Sequence, residues 1–190
     1  MKIADNVYKI KSNGNVYVIL KPVPIVVDTS DQANSEYIKS EIEKIIPLSE
    51  IKIVLLTHLH YDHVGNVELF PNAKIYADDD DIEDCRYDSR EFNFYVSEEV
   101  DEILKKELIS LPVEIGGLKV IRVPGHTRGS VAFLDEERKL LFSGDTLFAS
   151  GIIGRTDFLN SVPEKMNESI GRLIGMVEDG KLLLCPGHGY

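Results

Sequence analysis

The chain has 190 residues, the length of one ordinary domain or at most two small ones. Its 21 Lys and Arg against 32 Asp and Glu leave a formal net charge of −11, which works against sequence-independent binding to nucleic acid or to an anionic membrane. Two cysteines, Cys85 and Cys185, cannot suggest a disulfide framework, the first residues lack the apolar run of a signal peptide, and no stretch has the ~18 apolar residues of a membrane span, so a cytoplasmic globular protein is expected.

In chain order, Val16 to Leu20 and Ile25 to Val27 are β-rich runs around Lys21-Pro22-Val23-Pro24, which reads as a hairpin-type turn. From Asn34 to Ile46 the apolar residues Tyr37, Ile38, Ile42, Ile45 and Ile46 recur at helical spacing, and Pro47 ends the pattern. Ile51 to Leu56 is an apolar strand broken only by Lys52. A brief helix around Asn66 to Phe70 and a short strand from Ala73 to Ala77 follow. Asp78 to Ser110 changes character: it opens with four consecutive aspartates, carries Tyr87, Phe92, Phe94 and Tyr95 among many charges, and shows helical periodicity only from Glu98 to Leu108. Strands are expected at Leu118 to Val123, Ser130 to Leu134 and Lys139 to Phe142, then a helix from Pro163 to Val177 and a strand from Lys181 to Cys185. With no linker, low-complexity tract or strong repeat, this mixture predicts one α/β domain in layers over 1–190.

The chemistry concentrates at strand ends. Thr57-His58-Leu59-His60-Tyr61-Asp62-His63 follows the strand ending at Leu56 and places three histidines and a carboxylate within six positions. His58 and His60, two apart, share one side of an extended chain. The other two of the five histidines lie in Pro-Gly turns after strands, His126 in Pro124-Gly125-His126-Thr127 and His188 in Pro186-Gly187-His188-Gly189. Asp145, in Ser143-Gly144-Asp145-Thr146, follows a strand as well. Imidazole and carboxylate ligate first-row metals, and gathering so many without a cation is electrostatically unfavourable. The plain alternative, five unrelated structural histidines, gives no reason for every one to fall in a strand-end motif. A purely structural zinc would use four ligands and favour cysteine, whereas seven donors and no Cys-x-x-Cys are on offer.

His58-x-His60-x-Asp62-His63, followed in order by His126, Asp145 and His188, resembles the metallo-β-lactamase superfamily, from about Val7 to the end of the chain. That resemblance implies a four-layer αββα sandwich with metals at one edge of the paired sheets. It implies a first metal on His58, His60 and His126, a second on Asp62, His63 and His188, and Asp145 bridging them. Asp62 and Asp145 are then the candidate catalytic carboxylates, around a metal-bridging hydroxide that serves as nucleophile. Two divalent ions are implied, zinc first, with iron or manganese also suited to these ligands. Asp28, in Val27-Asp28-Thr29-Ser30, matches a family aspartate near the metals and is read as orienting a histidine ligand.

Gly144-Asp145-Thr146-Leu147-Phe148 and Gly154-Arg155-Thr156-Asp157-Phe158 are similar to the glyoxalase II (hydroxyacylglutathione hydrolase) group and its prokaryotic relatives, which hydrolyse thioesters of glutathione. The implied partner is a small-molecule thioester or ester, bound by a monomer or homodimer. Arg155 is the expected anchor for a substrate carboxylate, or else pairs at the surface with Asp157, and Tyr61 is a second candidate contact. Longer glyoxalase II enzymes carry a helical region after the last histidine, and the chain stops two residues after His188, which leaves the thiol carrier open. Arg86 to Tyr95, with Arg86 and Arg90 as anion contacts, is either a compensating lid or an exposed charged insertion. The Gly154–Phe158 motif also resembles persulfide dioxygenases, which hold one iron with the equivalents of His58, His126 and Asp145 but commonly have Ala at the place of Tyr61. Lactonase or other esterase activity, and a non-catalytic metal-binding role, are the further readings. Nucleases of the superfamily and its flavin-linked diiron oxidoreductases bring extra modules for which this chain has no room.

Overall fold

Two β-sheets face each other across an apolar interior, in a computed structural model that describes residues 1–92 and 96–189. The first sheet has seven strands in sequence order: β1 (Lys2–Ala4), β2 (Val7–Ile10), β3 (Val16–Ile19), β4 (Ile25–Val27), β5 (Ile53–Leu55), β6 (Lys74–Ala77) and β7 (Ile109–Ser110). It is antiparallel from β1 to β4 and parallel from β4 to β7. The second sheet has β8 (Glu114–Ile115), β9 (Leu118–Arg122), β10 (Val131–Asp135), β11 (Leu140–Gly144) and β12 (Leu183–Pro186), ordered β12-β11-β10-β9-β8, with only β11–β12 parallel. The helices are α1 (Ser35–Glu43), α2 (Tyr61–Val64), α3 (Asp79–Phe92), α4 (Glu98–Lys106) and α5 (Pro163–Gly180).

The strands explain the layering. Because side chains alternate across a strand, a strand buried on both faces must be apolar throughout. Tyr17 and Ile19 of β3 point to the inter-sheet core, where they meet Phe133 of β10 and Phe142 of β11. Val16 and Val18 point the other way, into a second core with Ile38 and Ile42 of α1 and Val100 and Leu104 of α4. In the second sheet, Ala132 and Leu141 turn outward to meet Leu173 of α5. Three apolar layers between four structural layers make the αββα sandwich that the resemblance implied.

Boundaries shift by a few residues. The first expected helix stops at Glu43 because Ile45 and Ile46 both donate to the Ile42 carbonyl, tightening the last turn ahead of Pro47. The helix expected near Asn66 is a 3-10 turn, Val67–Leu69. The acidic run, which showed no period, forms the first turn of α3: Asp79, Asp80 and Asp81 sit where the helix dipole favours negative charge, and Asp78 Oδ1 accepts from the Asp80 N–H at 3.0 Å. Arg86 Nε donates to the Lys105 carbonyl at the end of α4 (3.3 Å). The side chains of Arg90 and Phe92, and all of residues 93–95, lie outside what is described, so the expected contacts there are not placed. Among the described residues, no helix is long and apolar enough to cross a membrane.

Candidate metal centre

Strands β4, β5, β9, β11 and β12 all point their carboxyl ends to one edge of the sandwich, because β4 and β5 are parallel, β11 and β12 are parallel, and β9 lies two antiparallel steps from β11. At that edge the sheets join directly, Val131 N–H donating to the Thr57 carbonyl at 2.9 Å. Crevices at strand carboxyl ends are where α/β sheets place ligands. β4 delivers Asp28, β5 leads into His58, His60 and α2 with Asp62 and His63, β9 leads to His126, β11 to Asp145 and β12 to His188. The donor atoms of His58, His60 and His126 lie within 4.8 Å of one another; so do those of Asp62, His63 and His188, and those of His58, His63 and Asp145, which link the two. All seven sequence candidates meet in one place.

The hydrogen bonds around the rings set which nitrogen faces inward. Asp28 Oδ2 holds His63 Nδ1 at 2.8 Å and also accepts from Thr57 Oγ1 at 2.8 Å. With its proton given to Asp28, the Thr57 hydroxyl is left to accept from His58 Nδ1 at 3.1 Å. The Arg155 carbonyl accepts from His126 Nδ1 at 2.7 Å, and the Asn13 carbonyl from His188 Nδ1. With Nδ1 of each of these four imidazoles engaged outward, it is Nε2 that faces inward, where its lone pair can meet a cation once any proton there is displaced. Inside, His126 Nε2 lies 3.2 Å from His58 Nε2 and 2.8 Å from His60 Nδ1. His188 Nε2 lies 3.1 Å from Asp145 Oδ2 and 3.4 Å from Asp62 Oδ2. His63 Nε2 and Asp145 Oδ1, 3.3 Å apart and buried, have no hydrogen-bond partner. Lone pairs and carboxylates that face each other in a buried space need positive charge between them. The donor set fits divalent cations.

Two charge regimes divide the cluster. Burial and the neighbouring imidazoles hold His58 well below the usual histidine range and bring His60 to about 3, and burial lowers His126 against the pull of Asp145. For His63 and His188 burial acts the same way but loses to the carboxylates: Asp145 and Asp28 raise His63 well above its ordinary value, and Asp145 and Asp62 raise His188 to about 9. Asp145 in turn, despite burial, is held well below the carboxylate range by His63 and His188. Asp28 carries strain as well, with a non-glycine φ of 55°, fixed by its N–H donating to the Leu55 carbonyl at 2.9 Å.

The other candidates are placed as follows. Tyr61 opens α2 and is half-buried. The Arg155 side chain is exposed, paired in bidentate fashion with Asp157 (2.9 and 2.8 Å) and lying 4.8 Å over the Phe158 ring. Phe158 itself packs against His60, the rings tilted by 58° with centroids 4.7 Å apart, so the 150–159 segment borders the cluster. Sequence reading missed Asn13 and Phe158 as neighbours of the ligands, and missed Asp81. A backbone carbonyl acceptor such as that of Asn13 leaves no residue-type signal; the polar Asn13-Gly14-Asn15 turn was the only cue.

A sequence profile described as the Metallo-beta-lactamase superfamily matches residues 11–188. The chain is 27% identical over 185 residues to a probable metallo-hydrolase of Methanocaldococcus jannaschii, covering 93% of this chain and 88% of that one. It is 30% identical over 179 residues to the hydroxyacylglutathione hydrolase GloC of Haemophilus influenzae, covering 84% and 82%. Among solved structures, TTHA1623 in a di-iron-bound form superposes with a TM-score of 0.74 at 28% identity, covering 97% of this chain and 93% of that one. The sandwich, the ordered strand-end donors and a profile match spanning nearly the whole chain agree: this protein belongs to the metallo-beta-lactamase superfamily.

Proposed function

We propose that the protein is a metal-dependent hydrolase of thioesters, acting on hydroxyacyl-glutathione or the thioester of a related thiol carrier. The observation that carries the reading is the set of inward-facing donor atoms: His58 and His126 Nε2 face each other at 3.2 Å, and beside them His63 Nε2 and Asp145 Oδ1 lie 3.3 Å apart with no hydrogen-bond partner. His58, His60 and His126 would hold one divalent cation, and Asp62, His63 and His188 a second, with Asp145 between the two; zinc is the expected metal, iron or manganese the alternatives. When bound, such a pair of cations polarises a carbonyl and brings water close to deprotonation at neutral pH.

The chain's own groups do the orienting. Asp28, Thr57, the Arg155 carbonyl and the Asn13 carbonyl fix four ring orientations before any substrate arrives. All five histidines are committed to the cluster, so no spare imidazole stands ready to protonate a leaving group. A thiolate, with a pKa of about 8–9, departs without one; an amide nitrogen does not. That favours thioesters over lactams. Phe158 forms an apolar wall beside His60, and Arg155, exposed next to it, is the proposed anchor for an anionic substrate, with Tyr61 lining the approach. The GloC likeness supports the thioester class. The longer hydroxyacylglutathione hydrolases that the chain matches are spanned for only 50–57% of their length, so the carrier bound here is a separate question.

Metal analysis of protein purified without added metal, joined to a thioester panel, tests this. Two metals per chain and thioester cleavage without oxygen uptake are expected. One iron per chain with oxygen consumption would instead establish a persulfide dioxygenase, and bound metal with no turnover of any ester would establish a binding protein.

A further inference from the structure

Of the four consecutive aspartates, Asp81 alone is wholly buried. Its carboxylate accepts three hydrogen bonds: Oδ1 from the Gly129 N–H at 2.8 Å, Oδ2 from the Thr127 hydroxyl at 3.0 Å and from the Leu59 N–H at 3.2 Å. These donors belong to two loops on different sheets. Leu59 stands between His58 and His60 in the loop after β5, and Thr127 follows His126 in the loop after β9. From the first turn of α3, one side chain thus ties together the backbones that carry three imidazoles.

The fit is close. A Cβ on Gly129 would lie 2.6 Å from Asp81 N and 2.7 Å from Asp81 Oδ1, so this loop packs directly on the carboxylate with no room for a side chain. The Thr127 N–H is held by Ser130 Oγ at 3.0 Å, and the two hydroxyls lie 2.8 Å apart, which leaves the Thr127 proton for Asp81. Arg128 reinforces the same seam, reaching Asp84 Oδ1 at 2.8 Å and the Asp80 carbonyl at 3.3 Å on α3. Three donors at two oxygens call for an acceptor-only group. An amide in the same place would turn its NH2 toward at least one N–H or O–H donor.

We propose that Asp81 is a positioning residue for the three-histidine half of the site: by setting the separation of the His58–His60 loop and the His126 loop, it sets the affinity for the cation those rings take. The proposal rests on the metal reading given above. Wild type and Asp81→Asn are to be compared at pH 8 by competitive zinc titration, by the visible spectrum of the cobalt-substituted protein, and by melting of the metal-free chain. The expected result is a cooperatively melting variant whose affinity for one metal equivalent falls ~10–100-fold, the usual cost of losing a group behind a ligand, with a shifted cobalt spectrum and the second equivalent unchanged. Wild-type affinity and spectrum in Asp81→Asn would overturn the proposal alone. A wild-type chain that takes up neither zinc nor cobalt would overturn the metal reading, and this proposal with it. Should Asp81→Asn fail to fold, Thr127→Val, which removes one of the three bonds, decides: a smaller loss and shift in the same direction support the proposal, and unchanged values overturn it.

Discussion

Thr57 to Asn66, which carries four of the candidate ligands, is buried at every position except the half-buried Tyr61 and Asp62. Ser150 to Leu159 borders the same cluster, yet Ile152, Ile153 and Leu159 are 55%, 40% and 82% exposed, and the hydrogen bonds its side chains make stay within it. In the first segment Asp28, from another strand, holds the His63 ring and, through Thr57, the His58 ring; in the second an arginine is held by an aspartate two positions away. The difference separates two tasks. Donor atoms need fixed geometry, which only a packed and hydrogen-bonded surround gives, while a surface that meets substrate can be solvated and variable. The two meet at Gly154, whose N–H donates to the Asp145 carbonyl at 2.9 Å and which is buried amid an exposed loop.

The largest expected effect lies in the buried part. Asp145→Ala removes the group that reaches His63, His126 and His188. Metal content and hydrolysis should fall together, the latter by ~100-fold or more. Full turnover in that variant would show that the cluster is not where the chemistry occurs.

The seam gives the second test. A Cβ at Gly154 would lie 2.1 Å from the Asp145 carbonyl oxygen and 2.9 Å from His126 Nδ1. Gly154→Ala should therefore cost about 1–3 kcal/mol of stability, as overpacking does, and weaken metal binding although it lies outside the ligand set. Neighbouring substitutions in the exposed stretch, such as Ile152→Ser, should do neither. Equal effects from both would erase the distinction between the two segments.

How much of this could be read beforehand follows from the same division. The donors were legible because residue type and strand-end position coincide: His126, Asp145 and His188 each follow a run rich in apolar residues that reads as a strand. Asp28 was legible only through the family resemblance, which marks an aspartate at that strand end. The groups behind the rings were not. The Asn13 and Arg155 carbonyls act through backbone atoms, which every residue has, and Asp81 lay inside an acidic run that reads as a solvated face. β1 and β2 escaped because Lys2–Ala4, at the sheet edge, and Val7–Ile10, next to it, are short and mix polar residues with apolar ones. The whole of α3 escaped: its opening aspartates carry little helical periodicity and are favoured there by the helix end they occupy.

A smaller effect should appear as pH dependence in the buried part. Burial raises the Asp81 carboxyl to about 7, against the pull of its donors on Gly129, Thr127 and Leu59 and with a further push from Asp78. The unfolded chain releases the same proton near pH ~4. Between roughly 4 and 7 the folded state thus binds more protons than the unfolded one, and stability falls as pH rises through that window, with a slope no steeper than ~1.4 kcal/mol per pH unit for one proton. Denaturant midpoints of metal-free wild type and Asp81→Asn across this range measure it: the gap between the two curves should narrow from pH 4 to 7 and then stay constant. A gap independent of pH would mean that folding leaves the Asp81 carboxyl where it is in the unfolded chain.

The smallest effect belongs to the exposed stretch. Arg155 is bound to Asp157 at both ends of its guanidinium and rests on Phe158, but both charged side chains are largely solvated. Exposed pairs of this kind contribute little to stability, so Arg155→Ala should melt as wild type does. Its expected consequence is in binding: if the guanidinium exchanges Asp157 for a substrate carboxylate, KM for anionic thioesters rises several-fold while kcat and KM for neutral ones stay put. Asp157→Ala sharpens the point, because it frees the arginine and should lower KM for the same anionic substrates. A fall in both variants' kcat with no change in KM would place Arg155 among the groups that hold the ligands, where its carbonyl already is, and would move the boundary between the two segments outward past Gly154.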